Sequence, residues 1–88
     1  MSTIEEKLVI VTGAARGIGL ATAKLFNENG YKVAIVDKDE NEIAKLCLLN
    51  NDIRAFCYDI SDFDSVNKMF NNILKWHNRI DVLVNNAG

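Results

Sequence analysis

Four short apolar runs recur along the chain with longer stretches of helical character between them, and this alternation limits the possible folds more than any other feature. Leu8 to Val11 is a continuous apolar run with β-branched content, and Lys32 to Val36 repeats it as Lys-Val-Ala-Ile-Val. Ile53 to Tyr58 and Ile80 to Val84 are two further candidate strands, the last interrupted only by Asp81. Runs with so little polar alternation are expected of strands covered on both faces.

The segments between them read as helices. Ile18 to Asn29 is rich in Ala and Leu, holds no breaker and stops at Gly30, which suits a helix C-terminal glycine. Asp39 or Asn41 can cap a second helix carrying Ile43, Ala44, Leu46, Cys47 and Leu48. Ser61 followed by Asp64 predicts an N-cap with an acidic first turn, after which Val66, Met69, Phe70, Ile73 and Leu74 keep spacings of three and four. Strand and helix therefore alternate as βαβαβαβ, without proline and with short loops. This predicts an α/β fold with a parallel sheet. Right-handed crossovers give the strand order 3-2-1-4, the first half of a doubly wound fold plus the strand that begins its second half. Such an incomplete fold leaves the fourth strand as an open apolar edge, so the chain on its own is expected to fold poorly or to self-associate.

Composition narrows the function classes. Eighty-eight residues make one domain at most, and 49% apolar with 25% charged residues is ordinary for a globular chain. Lys and Arg number 10 against 12 Asp and Glu, so the net charge of -2 offers no basic field for nucleic acid or anionic lipid. No apolar run approaches the roughly 20 residues that cross a bilayer. Glu5 and Glu6 precede the first apolar run where an export signal would be basic, so the expected location is cytoplasmic. Cys47 and Cys57, ten positions apart, match no zinc or redox spacing and are expected to pack as small apolar residues in a reducing compartment. No metal site is expected.

The chemistry concentrates at strand ends. Thr12-Gly13-Ala14-Ala15-Arg16-Gly17-Ile18-Gly19 follows the first strand and opens the first helix. Gly13 suits the tight turn off the strand, Gly17 the approach of backbone N–H groups to a pyrophosphate, and Gly19 the close packing of the helix. A glycine turn also occurs where no ligand binds; Asp37 gives this one its context. It ends the second strand eighteen positions beyond Gly19, where a carboxylate can accept hydrogen bonds from both ribose hydroxyls of an adenosine and repel a 2′-phosphate. NAD is thereby expected over NADP, although Arg16 and Lys38 are cations that could meet a 2′-phosphate.

These residues resemble the short-chain dehydrogenase/reductase family, whose glycine motif reads Thr-Gly-x-x-x-Gly-x-Gly, as Thr12 to Gly19 does. The resemblance extends to Asp59, followed by Ile60, at the position of the family's adenine-contacting Asp. Asn85-Asn86-Ala87-Gly88 matches its Asn-Asn-Ala-Gly after the fourth strand. It implies a Rossmann-type partial NAD(P)-binding domain over residues 1–88, with Gly13, Ala15, Arg16, Gly17, Ile18, Gly19, Asp37, Asp59, Ile60, Asn86, Ala87 and Gly88 around the cofactor. It also implies hydride exchange between NAD(H) and a small alcohol or carbonyl, and a homo-oligomer at full length. The family's catalytic Ser and Tyr-x-x-x-Lys lie in later segments. Neither Tyr31 nor Tyr58 has Lys four positions on, so no catalytic residue is expected in this chain. The reading is a cofactor-binding part that is inactive alone, with a truncated nucleotide-binding module or a non-functional truncation product as the alternative. His77, near the end of the third helix, is expected to be a surface residue or a partner of the helix dipole.

Overall fold

In the computed structural model, which describes residues 6–46 and 52–86, the chain forms β1 (Leu8–Thr12), α1 (Gly17–Glu28), β2 (Lys32–Asp37), α2 (Glu40–Ala44), β3 (Ile53–Cys57), α3 (Phe63–Trp76) and β4 (Val82–Asn85). The four strands make one parallel sheet in the order β3-β2-β1-β4, as the alternation predicts. β1 is central and buried along its whole length, flanked by β2 with Ile10 opposite Ala34 and by β4 with Ile10 opposite Leu83.

Side-chain alternation then divides the core into two layers. Val9, Val11, Val33, Ile35 and Ile53 face α1 and α2, where Ala23 and Leu46 complete a buried cluster. Leu8, Ile10, Ala34 and Val36 face α3 and meet Met69 and Ile73. Fully burying each of the large aliphatic side chains contributes about 1.5–3 kcal/mol, so β1 alone anchors both layers. α1 and α2 lie on one face and α3 on the other, the arrangement that right-handed crossovers require.

Several local expectations shift by a residue or more. α1 begins at Gly17, one residue before the expected Ile18. β1 runs on through Thr12 and β4 through Asn85, while β3 stops at Cys57 and β4 starts only at Val82; β2 ends at Asp37 as expected. Of the two candidate caps for the second helix, Asp39 serves, accepting from the amides of Asn41 and Glu42 at 3.1 and 3.2 Å. That helix is only five residues long, and buried Leu46 lies just beyond it. Cys47 and Leu48 lie outside the described residues.

The cap of α3 is a correction. Asp62, not Ser61, is the N-cap, accepting from the Asp64 amide at 3.3 Å and the Ser65 hydroxyl at 3.1 Å. Ser61 turns back to Asp59 instead. Cys57 is a second correction: it ends the edge strand β3 in an exposed position rather than in the core, because β3 pairs only with β2. His77 is the C-cap of α3, and its Nε2 lies 2.6 Å from the Glu6 carbonyl oxygen, which can only accept, so that nitrogen carries the proton.

β4 is an edge as expected. Val82 and Val84 are half-buried on the α1 side, whereas Leu83, on the α3 side, is 53% exposed. Among the described residues, no helix is long and apolar enough to cross a membrane.

Candidate functional site

The carboxyl ends of parallel strands leave a crevice where successive loops diverge, and here it is a cavity of about 370 Å³. Thr12 and Gly13 enter it from β1, Val36, Asp37 and Lys38 from β2, and Tyr58, Asp59, Ile60 and Ser61 from the segment after β3. Four of the residues expected from the sequence, Gly13, Asp37, Asp59 and Ile60, thus meet on one cavity although they span 47 positions of chain.

The glycine turn is held from several sides. Gly13 and Gly17 have φ of 61° and 63°, left-handed backbone that strains any residue with a Cβ. Between them Ala14 and Ala15 are buried against the core. The Ala14 amide donates to the Val36 carbonyl at 3.4 Å, and the Ala15 amide to Asp37 Oδ2 at 3.2 Å. Asp37 Oδ1 accepts from the Asp39 amide at 3.1 Å. Each carboxylate oxygen keeps a further acceptor position for a ligand hydroxyl.

Gly19 is fixed by proximity rather than by torsion. A Cβ there would sit 2.4 Å from the Gly13 carbonyl oxygen and 2.8 Å from Asn86 Nδ2. The close approach at Gly19 is therefore to the glycine turn itself and the end of β4.

Thr12 joins β1 to β4, a role the sequence reading missed. Its Oγ1 donates to Asn85 Oδ1 at 3.1 Å and accepts from the Asn86 amide at 3.1 Å, while Asn86 Nδ2 donates to the Gly13 carbonyl at 3.2 Å. The signal was a hydroxyl residue, Thr12, 97% buried at a strand end, but burial is legible only once β4 is paired with β1. Ala87 and Gly88 lie outside the described residues.

Arg16, Gly17 and Ile18 stand at the exposed start of α1 and do not line the cavity. Arg16 is the N-cap in extended conformation, its side chain makes no capping bond, and the first turn holds no acid. Among the described residues, no side chain thus compensates the first-turn amides and the positive end of the helix dipole, the usual setting for a bound anion. Space within 4 Å of the Gly17 Cβ position is open.

Asp59 is held below the usual carboxylate range, first by the Ser61 hydroxyl at 2.7 Å, then by the Ser61 amide at 2.9 Å, with Lys38 adding a smaller pull. Cys57 titrates above an ordinary thiol through partial desolvation and through its acidic neighbours Glu40, Asp37 and Asp39. Tyr58 lines the cavity, but its hydroxyl accepts from Asn72 Nδ2 on α3. No group of three metal-ligating side chains occurs among the described residues.

Together these are amide donors for a phosphate, carboxylates for hydroxyl and amino donors, and apolar walls from Val36 and Ile60. That set fits a dinucleotide, and with the 3-2-1-4 parallel sheet it defines a doubly wound dinucleotide-binding fold. Sequence comparison agrees. The short chain dehydrogenase family model matches residues 7–88. A 3-oxoacyl-[acyl-carrier-protein] reductase of Chlamydia pneumoniae is 42% identical over 90 residues, covering 98% of this chain and 36% of that protein. A meso-2,3-butanediol dehydrogenase of Serratia marcescens is 37% identical over 86 residues, covering 96% of this chain and 34% of that protein. Among solved structures, a short chain dehydrogenase from Bacillus anthracis superposes with a TM-score of 0.85 at 30% identity, over 93% of this chain and 35% of that one. A 3-ketoacyl-(acyl-carrier-protein) reductase from Brucella melitensis complexed with NADH gives a TM-score of 0.83 at 31% identity, over 90% of this chain and 33% of that one.

The chain belongs to the short-chain dehydrogenase family and carries its NAD-binding Rossmann portion. It spans about a third of the length of the relatives it matches.

Proposed function

We propose that residues 1–88 hold NAD for an oxidoreductase that exchanges hydride between NAD(H) and an alcohol or carbonyl substrate. The observation that carries this reading is Asp37, which lines the cavity and is bonded to the Ala15 amide of the glycine turn. Its carboxylate accepts the adenosine ribose hydroxyls, the amides at Gly17, Ile18 and Gly19 face the pyrophosphate beside Arg16, and Asp59 with Ile60 receives the adenine. Asn86, just after the end of β4, borders the cofactor. The bound nicotinamide supplies the hydride carrier; the residues of this chain bind and orient it.

NAD is favoured over NADP because a 2′-phosphate would meet the Asp37 carboxylate at close range. Lys38 in the same cavity lessens that repulsion without removing the carboxylate. The acid/base on the substrate comes from a Tyr/Lys pair outside residues 1–88, in the same product or in a complementary chain, since Tyr58 is engaged with Asn72. The protein works in a reducing cytosol, where the exposed Cys57 stays a thiol, and assembles as a homo-oligomer at full length. Titration of the native protein with NAD and NADP tests the cofactor choice: NAD is expected to bind more tightly, and equal or reversed affinities would refute the role given to Asp37. A chain that binds nucleotide but shows no turnover under any complementation would favour the binding-module reading instead.

A further inference from the structure

Ser61 is the least expected member of the cavity. Its amide and its hydroxyl both donate to the same oxygen, Asp59 Oδ1, at 2.9 and 2.7 Å. The hydroxyl does nothing for α3, whose first turn is capped by Asp62 through the Asp64 amide and the Ser65 hydroxyl. Two donors on one oxygen fix the side-chain torsions of an exposed aspartate that would otherwise sample several rotamers. They also leave the acceptor capacity of Oδ2 uncommitted among the described residues, on a residue that lines the cavity.

We propose that Ser61 is a positioning residue for adenine recognition, holding Oδ1 so that Asp59 presents Oδ2 to the exocyclic amino group of the base. The inference rests on the dinucleotide reading above and extends it to a side chain that need not touch the ligand. An amino group donates to a carboxylate; the carbonyl of a hypoxanthine ring, which replaces it, can only accept and is repelled. Discrimination between the two bases therefore measures how well Asp59 is aimed. The same two bonds keep Asp59 ionised, with Lys38 assisting and Asp37 and Tyr58 sharing the cavity.

The test is calorimetric titration of the native protein with NAD and with its hypoxanthine counterpart, for wild type, Ser61→Ala and Ser61→Thr. Wild type is expected to prefer NAD, and Ser61→Ala to narrow that preference about three- to tenfold, the loss that corresponds to freeing one ordered side chain. Ser61→Thr, which keeps the hydroxyl, is expected to retain it. A carboxyl-carbon NMR titration reads the same contact without ligand: Ser61→Ala should raise the Asp59 pKa toward the usual range. Equal weakening of both dinucleotides in Ser61→Ala, with the preference intact, would make Ser61 merely structural and overturn the proposal. Wild-type binding of both with equal affinity would overturn it too while leaving the dinucleotide site standing. Binding of neither by wild type would instead bring down the dinucleotide reading beneath it.

Discussion

The Ala15 amide donates to Asp37 Oδ2 at 3.2 Å, so the carboxylate at the end of β2 also fastens the glycine turn that follows β1. Its other oxygen takes the Asp39 amide just ahead of α2, so one side chain links the glycine turn, the end of β2 and the start of α2. Asp37→Ala is accordingly expected to act twice. It should narrow the NAD/NADP preference, and it should cost about 1–3 kcal/mol of stability by leaving two amides without their charged acceptor. Asp37→Asn, which keeps one acceptor oxygen, should lose the preference with a smaller stability loss. Parallel chemical denaturation and cofactor titration of both variants check this; an unchanged preference in both would show that Asp37 is not the selector.

Gly19→Ala brings a Cβ to 2.4 Å from a backbone carbonyl that cannot swing away as a side chain tip could. The turn or the helix must shift, at about 1–3 kcal/mol for this kind of overpacking. The same shift disturbs the Asn86 bond to Gly13, so nucleotide affinity should fall together with the thermal midpoint. Thermal melts with and without NAD measure both.

Thr12→Val preserves shape while removing a hydroxyl that bonds Asn85 and the Asn86 amide. Those groups then lack a partner near the core, a loss of about 1–3 kcal/mol. Hydrogen exchange should localise the effect to the Asn86 amide and the β1–β4 junction, with β2 and β3 little changed.

Asp81 is held below the usual carboxylate range, first by the Arg79 side chain and then by the Leu8 amide at 2.9 Å. A depressed folded-state value means the unfolded chain takes up the proton first. The contribution is therefore complete at neutral pH, starts to fade as pH falls into the ordinary aspartate range, and is gone below the lowered folded-state value. Asp81→Asn should flatten that part of the acid unfolding curve. A variant curve parallel to wild type down to acid pH would argue against it.

Leu83 exposes 53% of its surface on an edge strand, beyond the cover that α3 gives Ile10 beside it in register. Residues 1–88 expressed alone should self-associate through this edge, and Leu83→Lys should lower the associated fraction in sedimentation velocity. Monomeric behaviour of the unaltered chain would remove the argument.

Much of the fold was legible because it depends on periodicity. Four apolar runs with helical segments between them determine a parallel sheet, and handedness then leaves little choice but 3-2-1-4. Gly13 and Gly17 were legible as turn glycines and Asp37 as a strand-end acid because backbone torsion and spacing from a strand are local properties. Cys57 was misjudged for the converse reason: its identity suggests a core, but only strand order reveals that β3 is an edge. Ser61 was misassigned as a cap because Asp59, two residues back, competes for its hydroxyl, and sequence alone does not weigh two nearby acceptors.

What the sequence by itself determined was the set of elements, their order, and the glycines and acids at strand ends. Tertiary structure decided how those pieces engage: the Ala15 amide on Asp37, the Gly13 carbonyl over Gly19, and Thr12 between β1 and β4. These contacts join residues 6 to 74 positions apart. The physical reason is that torsional preference and hydrophobic period act along the chain, whereas hydrogen-bond partners and close approach depend on strand register and helix placement in space.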